Sequence, residues 1–379
     1  MPVDHRECVR CVMDTTDPEI VFDDNGVCSH CHYFDNEVKP RWKPDERGAE
    51  ALSRQIAVMR EYGRKREYDC ILGLSGGVDS SYMALKVKEF GLRPLVIHVD
   101  AGWNSESAVS NIKNIVDHCG WDLHTVVMDW PEIRELQLAY LRSGVANQDV
   151  PQDHVFFASL YKYAVKNSIK TVLSGGNLAT EAIFPRSWHY TAMDGKNIRA
   201  INRKHGSGSI KKLPIISFWQ YYFYYPLAKG LKTFRPLNFL PYNRDEAIEE
   251  LKKIGFKEYG SKHCESIFTK FFQRYYLPHR FGYDKRRPHL SSQILSGQIT
   301  REEALVELSE PLYSERELEN DKLYLRKKLG LSQDEFEKLL EAPKRKAEDY
   351  PSDEKFYKFV KSTQARVEKK LGLRIRRYS

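Results

Sequence analysis

The sequence predicts an α/β protein built on a parallel sheet, with a four-cysteine metal-binding module in front and a helical region behind. Three observations predict it. Short apolar runs alternate with helical stretches between residues 45 and 174, a Gly-Gly turn joins the first such run to a helix, and two Cys-x2-Cys pairs precede position 40.

The first strand is Asp69-Cys70-Ile71-Leu72-Gly73-Leu74, which follows a helical stretch around 45–66 and runs directly into Ser75-Gly76-Gly77-Val78-Asp79-Ser80-Ser81. Met83, Leu85, Val87 and Phe90 then keep a helical apolar spacing up to Gly91. Strand, glycine-rich turn and helix in that order gather backbone N–H groups around a phosphate, and the helix N-terminus adds partial positive charge. Gly76 and Gly77 leave no Cβ between backbone and anion. Ser75, Ser80 and Ser81 offer hydroxyls, and Asp79 is a candidate Mg2+ ligand. With no Lys in the loop this is not a Walker A sequence. The plain alternative is a helix-capping turn.

Three more strands follow: 93–100, ending in His98-Val99-Asp100 before Ala101-Gly102-Trp103-Asn104; 123–128; and 170–174, which leads into Gly175-Gly176-Asn177 and Glu181. Ligands of such sheets gather at the carboxyl ends of the strands, which marks Gly175 and Asn177 as binding candidates and Glu181 as a second Mg2+ ligand candidate.

At the front, Cys8-x2-Cys11 and Cys28-x2-Cys31 let four thiolates close one tetrahedral zinc-ribbon-like site, and Asp23-Asp24-Asn25-Gly26 supplies the turn between them. Four protein ligands leave no open position, so the zinc is expected to serve folding or docking. His30 and His32 are read as surface residues. Disulfides are the alternative, disfavoured because no apolar export signal opens the chain.

Composition sets the outer limits. The chain has 379 residues, 41% hydrophobic and 30% charged, with no apolar run near the roughly 20 residues that span a bilayer. Cytoplasmic placement is expected, with no membrane partner. A net charge of +8 and a pI near 8.9 favour an anionic partner. The densest basic run, Lys262 to Arg287, includes Arg274 and Arg280 among Phe and Tyr residues, and reads either as a site for a phosphorylated substrate or as a solvated helix face. The uncharged stretch 213–227 reads as a buried helix or strand, with an interface or pocket wall as the alternative. From about 241 the chain reads as short helices capped at Asn243, Thr300 and Ser332. Boundaries are expected near 40 and 240, giving a metal module at 1–40, an α/β domain at 41–240 and a helical part at 241–379 that binds substrate or partner.

The loop S-G-G-V-D-S-S resembles the PP-loop ATP pyrophosphatases, whose fold is the adenine nucleotide alpha hydrolase-like sheet. The resemblance implies that Ser75, Gly76, Gly77, Asp79, Ser80 and Ser81 hold ATP, that His98, Asp100, Gly175 and Asn177 complete its site, and that Asp79, Ser75 and Ser80 serve catalysis with Mg2+. The wider chain is similar to the N-acetyl sugar amidotransferase family typified by WbpG and PseA, on LGLSGGVDSS, HVDAGWNSESAVSNI, LSGGN and the stretch KHCESIFTKFFQRYYLPHRFGYDKRRPHLSSQILSGQITREEAL. That resemblance implies adenylation of an N-acetyl carbonyl oxygen on a nucleotide-activated sugar, followed by ammonia attack to give an acetamidino group, in surface polysaccharide or flagellar glycan synthesis. Lys262, Arg274 and Arg280 would contact the substrate. No glutaminase is visible in the chain, so ammonia is expected from a separate glutaminase through a cyclase-like barrel protein, as in histidine biosynthesis. Two other readings remain. A tRNA thiolation enzyme would share the loop, the metal module and the positive charge, but only Cys70, Cys119 and Cys264 are left for sulfur chemistry. A nucleotide sensor would bind ATP without turnover.

Overall fold

The computed structural model describes residues 5–258 and 265–371. Lys262, His263 and Cys264 lie outside the described residues, as does the basic C-terminus from 372 on.

Five strands, β1 (Cys70–Gly73), β2 (Pro94–Asp100), β3 (Leu123–Val127), β4 (Thr171–Leu173) and β5 (Lys232–Phe234), form one sheet in the order β3-β2-β1-β4-β5. Every pairing is parallel; Leu72 lies opposite Val96 on one side and Leu173 on the other. β1 is thus central and nearly all buried, which its unbroken apolar run requires.

Because side chains alternate along a strand, each face gathers its own core. Cys70, Leu72, Val96 and Leu173 pack against α1 (Glu46–Gly63), α2 (Val78–Glu89), α3 (Glu106–Cys119) and, further along the chain, residues 247–251. Ile71, Ile97, Val99 and Val172 pack on the other face with α4 (Trp130–Ser143), α5 (Val150–Lys166) and α6 (Gly195–His205). The first four strands and the helix after the Gly-Gly turn fall where the sequence places them. β5 is new, three residues with only Phe234 buried.

Beyond the sheet, α7 (Arg244–Lys252) is capped by Asn243 and packs on α2. A continuous helical segment 267–281 leads to α8 (Arg286–Ser296) and α9 (Arg301–Ser309), and α10 (Glu315–Leu329) and α11 (Gln333–Leu340) follow. Thr300 and Ser332 form full capping boxes with Glu303 and Glu335, as the Thr-x-x-Glu and Ser-x-x-Glu patterns predict. Leu325, Leu329, Phe336 and Leu340 from α10 and α11 join the core that contains α4 and α5. No described helix is long and apolar enough to cross a membrane.

The uncharged stretch 213–227 is neither wholly buried nor a wall of the main cavity. Ile216, Phe218 and Tyr225 are buried, while Trp219, Tyr224 and Leu227 face outward from a wide-turned helix over Gln220–Ala228.

Candidate active site

Strand order reverses between β1 and β4, and the crevice that opens there at the carboxyl ends is where a sheet of this kind binds its ligand. A cavity of about 600 Å3 occupies it. That volume is in the range of sites for nucleotides and other small molecules.

One wall is the loop after β1. Gly76 has φ 82°, and a Cβ there would lie 2.5 Å from the Ala108 carbonyl oxygen, so only glycine fits between loop and α3. Ser75 Oγ accepts from Gly77 N at 3.2 Å and meets Ser80 Oγ at 3.1 Å; Ser80 Oγ donates to the Gly77 carbonyl. The hydroxyls therefore set the curl of the loop. Gly77 caps α2, and Ser75, Gly77, Asp79 and Ser80 line the cavity. Asp79 Oδ1 accepts the hydroxyl of Tyr242.

The facing wall is the loop after β4. Ser174, Gly175, Gly176 and Asn177 all line the cavity. Gly175 packs on the first turn of α2, where a Cβ would come within 3.0 Å of Asp79 and Ser80 backbone atoms. Asn177 is buried and caps the next helical turn by accepting from Thr180 N at 3.0 Å. Glu181 lines the cavity too. Among the described residues the only cluster of three or more potential ligands gathered as for one metal is the cysteine set, so Asp79 and Glu181 are not joined by a third carboxylate or imidazole.

Behind β2, His98 Nδ1 donates to the Leu74 carbonyl at 2.9 Å and its Nε2 accepts from Asn104 Nδ2 at 2.9 Å, which fixes the tautomer and holds the loop after β2 to the end of β1. His98 and Asn104 line the cavity.

Four sequence-based expectations are placed differently. Asp100 is not a wall residue; its Oδ1 accepts from Gly102 N and Asn104 Nδ2 and closes the turn. Ser81 is fully buried behind the loop because α2 turns it into the core. Gly76 also stands behind, against α3. Arg280 is buried, and its guanidinium donates to the carbonyls of Leu340 and Ala342, so it joins helices rather than facing substrate. Arg274 does line a side chamber of about 410 Å3 of mixed charge, with Lys270 and Arg286 beside Asp245, Glu258, Asp284 and Glu307; Arg244, Lys285 and His289 line both this chamber and the main cavity.

Several wall residues had no sequence signal. Arg235 follows the unforeseen β5. Glu265 stands over the phosphate loop, since a Cβ on Gly77 would lie 2.7 Å from its Oε1. Asp149 and Asp153 open α5, where the Asp-Val-Pro pattern reads as an ordinary helix start. Burial raises the Asp149 carboxyl to about 8, with Asp153 adding to the effect; burial likewise raises Asp153 to about 6, against the pull of Lys285.

The C-terminal helices close the chamber. Ser105 N donates to the Glu265 carbonyl and Ile267 N to the Trp103 carbonyl, both at 2.9 Å, which ties the loop after β2 to residues 265–267. Ser266, Thr269, Gln273, Lys285 and His289 then reach the cavity.

The four-cysteine site lies beside this closure. Sγ separations are 3.8 Å for Cys8–Cys31, 3.6 Å for Cys11–Cys28 and 3.7 Å for Cys28–Cys31. Four sulfurs at about 2.3 Å from a tetrahedral zinc would stand about 3.8 Å apart, so the set fits that ion. Backbone N–H groups of Arg10 and Cys28 approach Cys8 Sγ at 3.4 and 3.3 Å and would offset thiolate charge. His30 and His32 turn to Asp17 and Asp23 instead. The module docks through Arg287, which reaches Glu7, Asp14 and the Val12 carbonyl, and through Arg301, which reaches Glu7 and the carbonyls of Cys8 and Cys11. Its small core includes Ile183 and Trp188, and Trp188 is also a cavity wall.

Residues 265–364 match the family model of the LPS biosynthesis protein WbpG-like, C-terminal domain. A search of curated proteins finds no match. Among solved structures the chain is similar to the NH3-dependent NAD synthetase from Campylobacter jejuni, at 15% identity over 54% of this chain and 83% of that one with a TM-score of 0.29. It is also similar to the NMN synthetase from Francisella tularensis, at 15% identity over 62% of this chain and 95% of that one with a TM-score of 0.28. The stretch matched over 265–364 is the one that closes the cavity.

Proposed function

We propose that the protein is a cytoplasmic ATP-dependent amidotransferase that adenylates the N-acetyl carbonyl oxygen of a nucleotide-linked sugar and replaces that oxygen with nitrogen from ammonia. The observation that carries the reading is the shared cavity: Ser75, Asp79 and Ser80 of the phosphate loop line it together with Thr269, Gln273 and Lys285 of the WbpG-like domain.

In this reading ATP would supply the adenylate, and Asp79 would help hold the Mg2+ that offsets the charge of its phosphates. Ser75, Gly77, Ser80 and the loop after β4 cradle the pyrophosphate portion, and Arg235 and Arg244 bring positive charge to the same chamber. An amide carbon is a poor electrophile until its oxygen carries AMP. The side chamber, which shares Arg244, Lys285 and His289 with the main cavity, accommodates the far end of the acceptor. Zinc in the four-cysteine site is structural. Ammonia comes from a separate glutaminase through a cyclase-like barrel protein, and the product enters surface polysaccharide or flagellar glycan synthesis, in line with the lipopolysaccharide role named for the matched domain.

The test is mass spectrometry of the protein incubated with ATP, Mg2+, ammonium chloride and a panel of UDP- and CMP-linked N-acetylated sugars. The expected result is AMP release with a product lighter than its sugar by about one mass unit, as exchange of amide oxygen for NH requires, and loss of both in Asp79→Ala. AMP formed only with added tRNA, together with sulfur incorporation, would overturn the reading in favour of thiolation.

A further inference from the structure

The amidotransferase reading leaves one chemical need unmet by the residues assigned so far. At neutral pH ammonia is held mostly as ammonium, which has no lone pair, so the nucleophile must lose a proton inside the chamber. A base is needed that faces the adenylated carbon and stays ionised beside a group that attracts cations.

Asp149 and Asp153 stand one helical turn apart at the start of α5, and both line the cavity that holds the phosphate loop. Asp149 is 8% exposed and is fixed from two sides: its Oδ1 accepts from Thr269 Oγ1 at 3.0 Å and from Gln152 Nε2 at 3.3 Å. Asp153 is the more open of the two. The charged groups acting on the pair are Lys285, before α8, and Glu181, after β4. His189 stands on the same wall with its Nδ1 next to Asn147 Nδ2 at 3.2 Å. Even with Asp149 protonated, the carboxyl groups of Asp153 and Glu181 outnumber the one ammonium group of Lys285, which suits a small cation and not the phosphates gathered at the other end.

Resting on the proposed amidotransferase activity, we infer that Asp149 and Asp153 form the site that takes up ammonium and removes its proton, with Asp153 as the base. Ammonium passes one proton to the Asp153 carboxylate. The freed nitrogen lone pair bonds to the adenylated carbon, the C–O bond breaks with its electron pair on AMP, and a second proton passes from nitrogen to the departing phosphate, leaving the amidinium. The raised carboxyls fit this task, since a neighbour that keeps its proton leaves Asp153 to accept one near neutrality. No metal is needed there, and the described residues offer no third ligand to Asp149 and Asp153.

The experiment compares wild-type full-length protein with Asp153→Asn and Asp149→Asn, using the sugar of the panel that the wild type converts. Ammonium chloride and hydroxylamine serve in turn as nucleophile; the latter is neutral at pH 7 and attacks without prior proton removal. The expected result for Asp153→Asn is a loss of about 10²- to 10⁴-fold in kcat/KM for ammonium. Hydroxylamine-dependent turnover and sugar-dependent exchange of pyrophosphate into ATP should change far less. Equal losses with both nucleophiles, or loss of the exchange, would overturn the inference and make the pair a sugar-binding element. Full ammonium turnover in both variants would overturn it as well. A wild type that converts no sugar with either nucleophile would sink the amidotransferase reading itself and this inference with it.

Discussion

The hydroxyl of Tyr242 donates to Oδ1 of Asp79, reaching the first turn of α2 from the segment just before α7. Tyr242 is buried and its ring lies 5.5 Å from that of Tyr82, so the donor is held by packing on both sides. Burial, with the Asp79 carboxylate next in weight, keeps the phenol protonated well above its usual range, and the donor persists at any working pH. The carboxylate is thereby held in one orientation at the cavity wall. Tyr242→Phe should keep the packing and cost about 1.5–3 kcal/mol of stability, the scale of a hydrogen bond to a charged group. The Mg2+ concentration needed for half-maximal AMP formation should rise several-fold, and titration of activity against Mg2+ is the check.

At Gly76 two costs combine. A side chain would have to hold φ 82° and would press on the Ala108 carbonyl from 2.5 Å. The left-handed conformation alone costs about 1–2 kcal/mol for an L-residue. Gly76→Ala should therefore displace the phosphate loop and lower kcat/KM for ATP by about 10²-fold, the usual result of an ångström-scale misplacement. Steady-state kinetics beside a circular dichroism spectrum would separate this local effect from general unfolding.

Removal of the metal tests the front module. One zinc per chain is expected by elemental analysis. Cys8→Ser should lower that content and the melting temperature by about 5–10 °C, while any well-folded fraction should keep its turnover per molecule. A stable Cys8→Ser protein that no longer forms AMP would place the metal in the chemistry instead.

Arg287 is the fork that docks the module. Its Nε lies 3.0 Å from Asp14, which is 1% exposed, and its Nη1 reaches Glu7 and the Val12 carbonyl, each at 2.7 Å. Arg287→Ala leaves the buried Asp14 carboxylate with only His5 and Thr16 as partners and should cost about 3 kcal/mol in urea unfolding. Arg287→Lys should recover only part of that, because an ammonium group cannot serve three acceptors spread across a planar fork.

His154 sets an acid limb on stability. It has no exposed surface, its Nδ1 donates to the Ala192 carbonyl at 2.6 Å, and its Nε2 accepts from Ile216 N at 3.0 Å, an arrangement that needs the neutral ring. Burial lowers its pKa to about 4 from an ordinary 6.5. Below pH 6.5 the unfolded chain takes up a proton that the folded chain refuses. Stability is therefore full above about pH 6.5, falls as the pH drops toward about 4, and loses nothing more from this group below that, for a total of about 3 kcal/mol. Melting curves between pH 4 and 7 should show this slope, and His154→Gln should flatten it.

How far the sequence reached follows from how local each signal is. The strands β1 to β4 are legible because unbroken apolar runs bounded by turns have few other uses. β5 is not, since Lys-Thr-Phe carries one buried side chain and no alternation. The phosphate loop is legible because Gly76, Gly77 and the serines shape it within seven residues. Which of its hydroxyls faces the cavity is not, because one further step around α2 sends Ser81 into the core. Arg274 and Arg280 share one basic run, yet the first faces the side chamber and the second is spent on carbonyls of α11 and the turn after it. Asp149, Glu265 and Tyr242 acquire their roles only from chain segments more than a hundred residues away.

The same distance governs the docking of the metal module. Glu7 meets Arg287 and Arg301 across 280 and 294 residues, which makes these ion pairs among the longest-range contacts in the chain. During synthesis the first forty residues can bind their ion early and meet Ile183, Trp188 and Ser187 about half-way, but the ion pairs of Glu7 must wait until the ribosome has delivered nearly four-fifths of the polypeptide. Closing so long a loop is entropically slow and comes late. The Trp188 wall and α8 are steadied by that late clasp, so the chamber is completed only once the N-terminal module has met the segment 287–301, and a product cut short before that segment would carry a phosphate loop without a finished room around it.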